Sequence, residues 1–374
     1  MNMKRITSIL LIMLMLFSLA ACGSSEEATK EETKDVVEES KADEETTATE
    51  KDEAEESVAE EDKATDEEPV EDQDDEKKIG FSNFASIQYF MDIAASIKHT
   101  ADKHGYSVIE LRHEGDFSKR LSQIEDLVSQ GCKIIITELG ESGSLSEYFE
   151  ELKEQGIIIV CIDVPTEPND YWIASDDKEI GATSAETVVE YLTEKNGSAK
   201  GTVAMLSSKT VTSMRDRCDG FREYMEDYPE IEIVDERFPT EFDTSLMMTL
   251  TEDILQLYPT DTLDVIFASN QTQLEGSNAA VTSNERQDVA VFGVDDSEAI
   301  REALQDPDST VMSTIVQDPI KMGEVAVETA LEIAAGNVPE EKIYHPPVLA
   351  VTRDNVEEFI AEANEMHEKL KDFY

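Results

Sequence analysis

The chain has 374 residues, with 85 Asp+Glu against 31 Lys+Arg and a formal charge of -54. That balance repels phosphate backbones and argues against a nucleic-acid-binding surface. Apolar residues make up 40%, low for a folded chain and high for a disordered one, so two regimes share the sequence.

The first regime is N-terminal. Lys4-Arg5 is a positive n-region, and Ile6 to Ala21 is an apolar run of signal-sequence length, short for a membrane span. The run ends Leu19-Ala20-Ala21-Cys22-Gly23. Small residues before a cysteine resemble the bacterial lipobox, where the thiol receives a diacylglycerol; the plain alternative is a secretory signal with a chance cysteine. On the lipobox reading residues 1–21 are the signal peptide and Cys22 carries the membrane anchor. Each buried CH₂ of an acyl chain such as palmitate contributes about 0.8 kcal/mol to that anchoring. Residues 22–76 follow as a tether: positions 23–76 hold 26 Asp+Glu, five Lys and almost no large apolar residue. Such a segment cannot offset chain entropy and is expected to stay disordered, reaching about 40 Å as a neutral coil.

From Lys78 on, strand-like and helix-like segments alternate. Ile79–Phe84 reads as a strand, and Phe90, Ile93, Ala94, Ile97 and Ala101 recur at helical spacing up to Gly105. Tyr106–Leu111 is a second strand. Leu121, Ile124, Leu127 and Val128 mark a helix closed by Gly131. Cys132–Thr137 is an apolar strand, Leu145–Leu152 a helix, and Ile157–Ile162 another strand, followed by the short Trp172–Ser175. The pattern then restarts: a helix near Ile180–Leu192, a strand Thr202–Leu206, a helix Met214–Met225, and a strand Ile231–Val234. The helix Leu246–Leu257 leads to strands at Asp264–Ala268, Val289–Val294, Val311–Val316 and Val348–Val351, with a helix at Ile320–Ala334 between the last two. Asn355–Phe373 is amphipathic, with Val356, Phe359, Ile360, Ala363, Met366 and Leu370 on one face, and is expected to pack on the core.

Continuous apolar strands joined by amphipathic helices predict parallel sheets covered on both faces. Two such series predict an α/β fold of two doubly wound parallel-sheet lobes. The predicted divisions are 77–175 with 318–345, and 176–317 with 346–374. Three strand crossings, near Ser175–Asp177, Asp295–Ser297 (or somewhat later) and Gln317–Pro319, are expected to form the hinge. Cys132, Cys161 and Cys218 lack a CxxC or a histidine partner and read as buried inert thiols, with no metal site. His99, His104, His113, His345 and His367 read as surface residues.

Ligands in doubly wound sheets bind beyond the carboxyl ends of the strands. Those positions hold Asn83, Asp163, Ser175-Asp176, Asn270, Asp295 and Gln317, with Arg215 near a helix start and Tyr89, Phe90, Trp172 and Phe242 nearby. Paired amides and carboxylates suit vicinal hydroxyls, a guanidinium adds a bidentate fork, and aromatic faces suit the C–H face of a sugar ring. The set favours a polyol over a lipid or a nucleotide. An Asp at a strand end also caps the next helix, the alternative for Asp176 and Asp296, and Trp172 reads as packing near the hinge. No GxSxG, HExxH, Walker A or GxGxxG motif is present, so no catalytic residue or cofactor is assigned.

Several pieces recur in order across 78–353: Gln123-Ile124-Glu125-Asp126-Leu127, Ile162-Asp163, Trp172-Ile173-Ala174-Ser175-Asp176-Asp177 and Arg215-Asp216-Arg217-Cys218-Asp219-Gly220-Phe221, then Phe267-Ala268-Ser269-Asn270, Phe292-Gly293-Val294-Asp295, Gln317-Asp318-Pro319 and Met322-Gly323. In that order they resemble the type I periplasmic-binding-protein-like superfamily, specifically the ribose/galactose/xylose class of ABC-transporter substrate-binding lipoproteins. The resemblance implies that Asp163 accepts sugar hydroxyls in the first lobe and that Arg215, Asn270 and Asp295 bind the ring from the second. It further implies that Phe242 stacks on the ring, that Gln317 reaches the ligand from the hinge, and that Tyr89 and Phe90 are the paired aromatics after the first strand; Asn83 precedes them.

Departures are also informative. Ribose binders usually carry Asp-Arg where this chain has Asp163-Val164, and Ile87 stands where an amide is usual, so ribose itself does not follow. The implied role is a monomeric, lipid-anchored, extracytoplasmic solute-binding protein that hands a sugar or similar polyol to an ABC import permease. A ligand sensor for a histidine kinase or chemoreceptor is the alternative, since both partners read the closed lobes. The acidic tether and export signal take the place of the DNA-binding head that a repressor of this fold would carry.

Overall fold

The computed structural model describes residues 77–138, 145–241 and 243–374. The apolar leader, Cys22, the acidic stretch and Phe242 lie outside these residues.

The first series runs β1 (Lys78–Asn83), α1 (Gln88–Lys103), β2 (Ser107–Arg112), α2 (Phe117–Ser129), β3 (Ile134–Glu138), α3 (Ser146–Glu154), β4 (Ile158–Ile162) and β5 (Tyr171–Ile173). The second runs α4 (Asp177–Asn196), β6 (Gly201–Leu206), α5 (Thr212–Met225), β7 (Ile231–Arg237), α6 (Thr244–Leu257), β8 (Val265–Ala268), α7 (Gln271–Ser283), β9 (Ala290–Val294), α8 (Glu298–Gln305) and β10 (Val311–Val316). Then come α9 (Pro319–Ala334), β11 (Ile343–Tyr344), β12 (Leu349–Thr352) and α10 (Val356–Leu370).

The strands form two sheets, ordered β11-β5-β4-β3-β1-β2 and β12-β10-β9-β8-β6-β7. Counted within each half, the two orders are the same. In each, the first strand lies between the second and the third, so the helices that follow these strands diverge to opposite faces and open a crevice at the carboxyl ends. The apolar runs are the central strands: Ile135, Ile136, Ile159, Val160, Val265, Ile266 and Val291 have no exposed surface. Burying side chains of this size contributes about 1.5–3 kcal/mol each, which is why unbroken runs sit in mid-sheet. All pairings are parallel except β12, which runs antiparallel to β10. That edge strand departs from the all-parallel expectation, and it forms because the chain re-enters the second sheet directly from β11 without a helix.

The chain passes between the sheets three times, at 174–176, 317–318 and 345–348. The expected crossing at Asp295–Ser297 is not one: β9 leads through α8 to β10, its parallel neighbour in the same sheet. The third crossing follows β11, a two-residue strand too short to show in the sequence pattern. Helices α7 and α8 were also not foreseen. The buried face of α7 mixes Leu274, Ala280 and Val281 with Gln273, Gly276 and Ser277, so no unbroken large apolar stripe marks it in the sequence.

Two glycines set the closest helix contact. A Cβ on Gly181 of α4 would overlap the carbonyl oxygen of Arg217, and one on Gly220 of α5 would overlap that of Lys178. The backbones of α4 and α5 therefore touch, and the position of Arg217 is tied to that touch. Helix α10, expected to belong to the second lobe, reaches both. Phe359 and Ile360 pack on the second-lobe core, while Tyr374 Oη donates to Asp92 of α1 at 2.5 Å and Lys98 Nζ donates to the Phe373 carbonyl at 3.1 Å. Among the described residues no helix is long and apolar enough to cross a membrane.

Candidate functional site

Two aspartates occupy equivalent points in the two lobes. Asp163 follows β4 and Asp295 follows β9, with left-handed backbones of φ 67° and 78°. The Asp163 amide donates to the Ile173 carbonyl at 2.8 Å, and the Asp295 amide to the Ile315 carbonyl at 2.9 Å, each on the next strand. A left-handed non-glycine residue is uncommon and persists where its surroundings over-determine it, a pattern concentrated at binding sites. Trp172 supplies part of that restraint: its indole Nε1 donates to the Asp163 carbonyl at 2.7 Å, and its ring meets His345 edge-on.

The guanidinium between the carboxylates belongs to Arg217. It is 7% exposed; Nε donates to Asp177 Oδ1 at 2.9 Å, Nη1 to the Ser269 carbonyl at 3.0 Å, and Nη1 lies 3.5 Å from Asp295 Oδ1. Burial opposes its charge, but Asp295, Asp177 and Asp163 outweigh burial and hold the guanidinium protonated more firmly than usual. Arg215, the residue assigned from the sequence, is exposed and pairs with its neighbour Asp216. Two residues turn a helix by about 200°, so Arg215 and Arg217 face opposite ways. The signal that separates them was available: Met214, Arg217, Cys218, Phe221 and Met225 recur at the helical period and are the buried face of α5.

On the first-lobe side, Tyr89 is half-buried, and its hydroxyl lies 3.4 Å from Gln317 Oε1 and 3.2 Å from Met322 Sδ. Gln317 Nε2 in turn donates to Asp295 Oδ1 at 3.1 Å, so the hinge amide links Tyr89 to the second lobe. Burial raises the Tyr89 phenol, helped by the charges of Asp163, Glu138 and Asp295. Asp163 is pushed up to about 6, first by burial and then by the Asp177 and Asp295 carboxylates, against the pull of Arg217. Glu138, at the end of β3, was missed from the sequence. It is fully buried; Oε2 accepts the Phe84 amide at 3.1 Å, Oε1 has no hydrogen-bond partner among the described residues, and burial raises its carboxyl well above the usual range.

Two assignments become structural. Asn83 is fully buried, with Nδ2 donating to Glu110 at 2.8 Å and Oδ1 accepting the Ala85 amide at 3.3 Å, bonds that hold the β1–α1 turn. Phe90 is 5% exposed and packs in the first-lobe core with Phe84 and Tyr89. Asn270 is half-exposed at the end of β8, where its Oδ1 caps α7 through the Gln273 amide at 3.1 Å. Asp176 caps α4, whereas Asp296 pairs with Arg301 and Ser297 caps α8. His113 is fully buried, not a surface residue, and His345 Nδ1 is 2.7 Å from the Ala174 carbonyl at a crossing. Cys132, Cys161 and Cys218 are buried free thiols. Among the described residues no three His, Cys, Asp or Glu side chains are clustered to hold a metal ion.

The result is a set of carboxylates, one guanidinium, a phenol and two amides gathered from both lobes and a crossing. Such groups accept and donate hydrogen bonds in directions that match adjacent hydroxyls. The family model described as "Periplasmic binding protein domain" matches residues 79–337, more than half the chain. The ribose import binding protein RbsB of Bacillus subtilis (strain 168) is 25% identical over 260 residues, spanning 69% of this chain and 81% of that protein. A D-apiose import binding protein of Actinobacillus succinogenes is 28% identical over 221 residues, 58% of this chain and 68% of that protein. Among solved structures, AraP, an arabinose binding protein from Geobacillus stearothermophilus, shares the fold with a TM-score of 0.67 at 19% identity. It is matched over 76% of this chain and 99% of its own.

The raised Asp163 carboxyl makes stability depend on pH. The unfolded residue titrates near about 3.9, while the folded one holds its proton up to about 6. The folded state therefore binds more protons in that window, so stability falls as pH rises through it, and the full penalty persists above it. Asp163→Asn is expected to raise the melting temperature over the native chain at about pH 8 and to leave no difference near pH 4. An equal gain at both pH values, measured by thermal denaturation, would contradict the assignment.

Proposed function

The chain belongs to the periplasmic-binding-protein domain family, and from that footing we propose that it is an extracytoplasmic solute-binding protein for a sugar or similar small polyol. The observation that carries this reading is the pair of left-handed aspartates, Asp163 and Asp295, presented by matching strands of the two lobes with Arg217 between Asp177 and Asp295. Asp163 accepts hydroxyls from the first-lobe side. Asp295, Arg217 and Asn270 take the opposite edge, and Tyr89 and Gln317 close the hinge side. A ligand that touches both lobes binds the closed form more tightly than the open one, so it shifts the population toward closure. The chain performs no chemistry on the ligand: it releases it unaltered to an ABC import permease that recognises the closed lobes. The ribose and D-apiose import binding proteins among its relatives support import as the role. Cys22 carries the lipid that holds the protein at the outer face of the cell membrane, with residues 23–76 as the tether, and the protein acts as a monomer.

A thermal-shift panel of pentoses, hexoses and polyols on the purified chain identifies the ligand, since saturation at 100 times Kd adds about 2.7 kcal/mol of stability. With that ligand, Arg217→Met is expected to lower affinity about tenfold or more, because it removes a charged donor from the ligand, a hydrogen bond that contributes about 1.5–3 kcal/mol. Arg215→Met is expected to leave it within about twofold, as surface changes usually do. Equal losses in calorimetry would overturn the site. Cys22→Ser is expected to abolish incorporation of labelled palmitate into the chain; labelling that persists would rule out a lipid anchor at Cys22.

A further inference from the structure

Helix α10 is rooted in the second lobe and ends on the first. Val356 is buried in the second-lobe core, Phe359 and Ile360 pack against it, and the Arg301 guanidinium of α8 lies over the Phe359 ring at 5.3 Å. From that root the 15 residues of the helix carry the chain about 22 Å.

The far end meets α1. Tyr374 Oη donates to Asp92 Oδ1 at 2.5 Å, His367 Nε2 lies 3.3 Å from the same oxygen, and Gln88, one turn earlier on α1, donates to it at 2.7 Å. Lys98 Nζ donates to the Phe373 carbonyl at 3.1 Å, and the His99 ring meets the Phe373 ring edge-on at 5.1 Å. Burial and the neighbouring Asp92 hold the Tyr374 phenol above its ordinary range, so it stays a donor. Asp92 itself is buried. Without the two groups from the α10 segment it keeps Gln88 alone among the described residues, and a buried carboxylate stripped of donors is costly.

The place of this contact matters as much as its strength. Tyr89 lies one turn before Asp92 on the same helix, and its hydroxyl is 3.4 Å from Gln317 at the second crossing. Ser96, one turn after Asp92, donates to the Ile320 carbonyl just past that crossing at 2.6 Å. Lys98 also pairs with Glu110, which accepts Asn83 at the end of β1. The contact therefore fastens the helix that carries Tyr89, beside the hinge, to a helix of the opposite lobe. The chain joins the lobes at three crossings; this is a further link, made by side chains and one carbonyl, which can break and re-form.

We propose that residues 367–374 form a strap that ties the second lobe to α1 beside the hinge and sets the resting arrangement of the two lobes. The proposal rests on the hinged-lobe part of the reading above and is independent of the class of ligand. A contact made in one arrangement and lost in another adds its free energy to one side of the open–closed equilibrium, so the strap sets the population that a ligand must shift.

The test is a distance measurement by double electron–electron resonance on the full purified chain without ligand. Spin labels are placed at Glu125→Cys on α2 and Asp253→Cys on α6, both exposed, in a Cys22→Ser background. Cys132, Cys161 and Cys218 are buried and stay unlabelled. Two variants cut the strap from opposite sides: Tyr374→Phe with His367→Leu, which leaves the first lobe unaltered, and Lys98→Met. Glu365→Gln, which loses only an exposed pair with Lys369 on α10, is the control. Each strap variant is expected to shift the mean distance between the lobes by about 5 Å or more, or to split the distribution in two, while the control coincides with the unsubstituted chain. Distributions that stay unchanged in the strap variants, or that move equally in the control, overturn the proposal and leave polyol capture standing. Circular dichroism melting checks that each variant folds; where one does not, the other decides.

Discussion

The site depends on a buried guanidinium shared between carboxylates. Removing Arg217 and its partners from water costs several kcal/mol per ion, a cost that attraction offsets only when the geometry is tight. The geometry is tight because Gly181 and Gly220 let α4 and α5 touch backbone to backbone, which sets Arg217 on α5 beside Asp177 at the start of α4. The Ser269 carbonyl takes a further donor at the end of β8. Asp295 joins through both oxygens, one accepting Gln317 and the other the Gln271 amide. A helix contact, two strand ends and a crossing thus converge on one side chain.

The two lobes repeat one solution. The same strand order and the same left-handed aspartate, with the same amide bond to the next strand, occur in each. What differs is the charge environment. Asp295 has Arg217 beside it, whereas Asp163 has Trp172 restraining its backbone and feels Arg217 as a charge that only partly offsets burial. The asymmetry leaves the Asp163 carboxyl raised by burial in the first lobe, while Asp295 is held beside a guanidinium in the second. Between them, Tyr89 and Gln317 bridge to the crossing, and Phe373 and Tyr374, just after α10, reach the first lobe at Lys98 and Asp92.

Much of this was legible in the sequence, and the reasons for the exceptions are physical. Strands such as β3 and β4 announce themselves because full burial on both faces demands continuous apolar runs. Helix α7 does not, because its contact with α6 is made by Gly276, where a Cβ would meet Met247, and not by a large apolar stripe. Asp163, Asp295 and Gln317 lie at strand ends, where topology alone makes a residue a candidate. Asn83 has the same placement but is turned inward to Glu110, a choice made by a partner 27 residues away that no local pattern encodes. Arg215 and Arg217 differ only in helical phase, and the phase of α5 was readable from its apolar neighbours. Glu138 was invisible because an acidic residue in so acidic a chain carries no contrast; only its burial separates it from the rest.

The most direct measurement is a crystal structure of the chain with the tightest ligand from the panel. The expected result is one ligand with polar atoms within hydrogen-bond distance of Asp163 on one side and of Arg217 or Asp295 on the other. A ligand that touches a single lobe, or that leaves both Asp163 and Arg217 untouched, would contradict capture between the lobes.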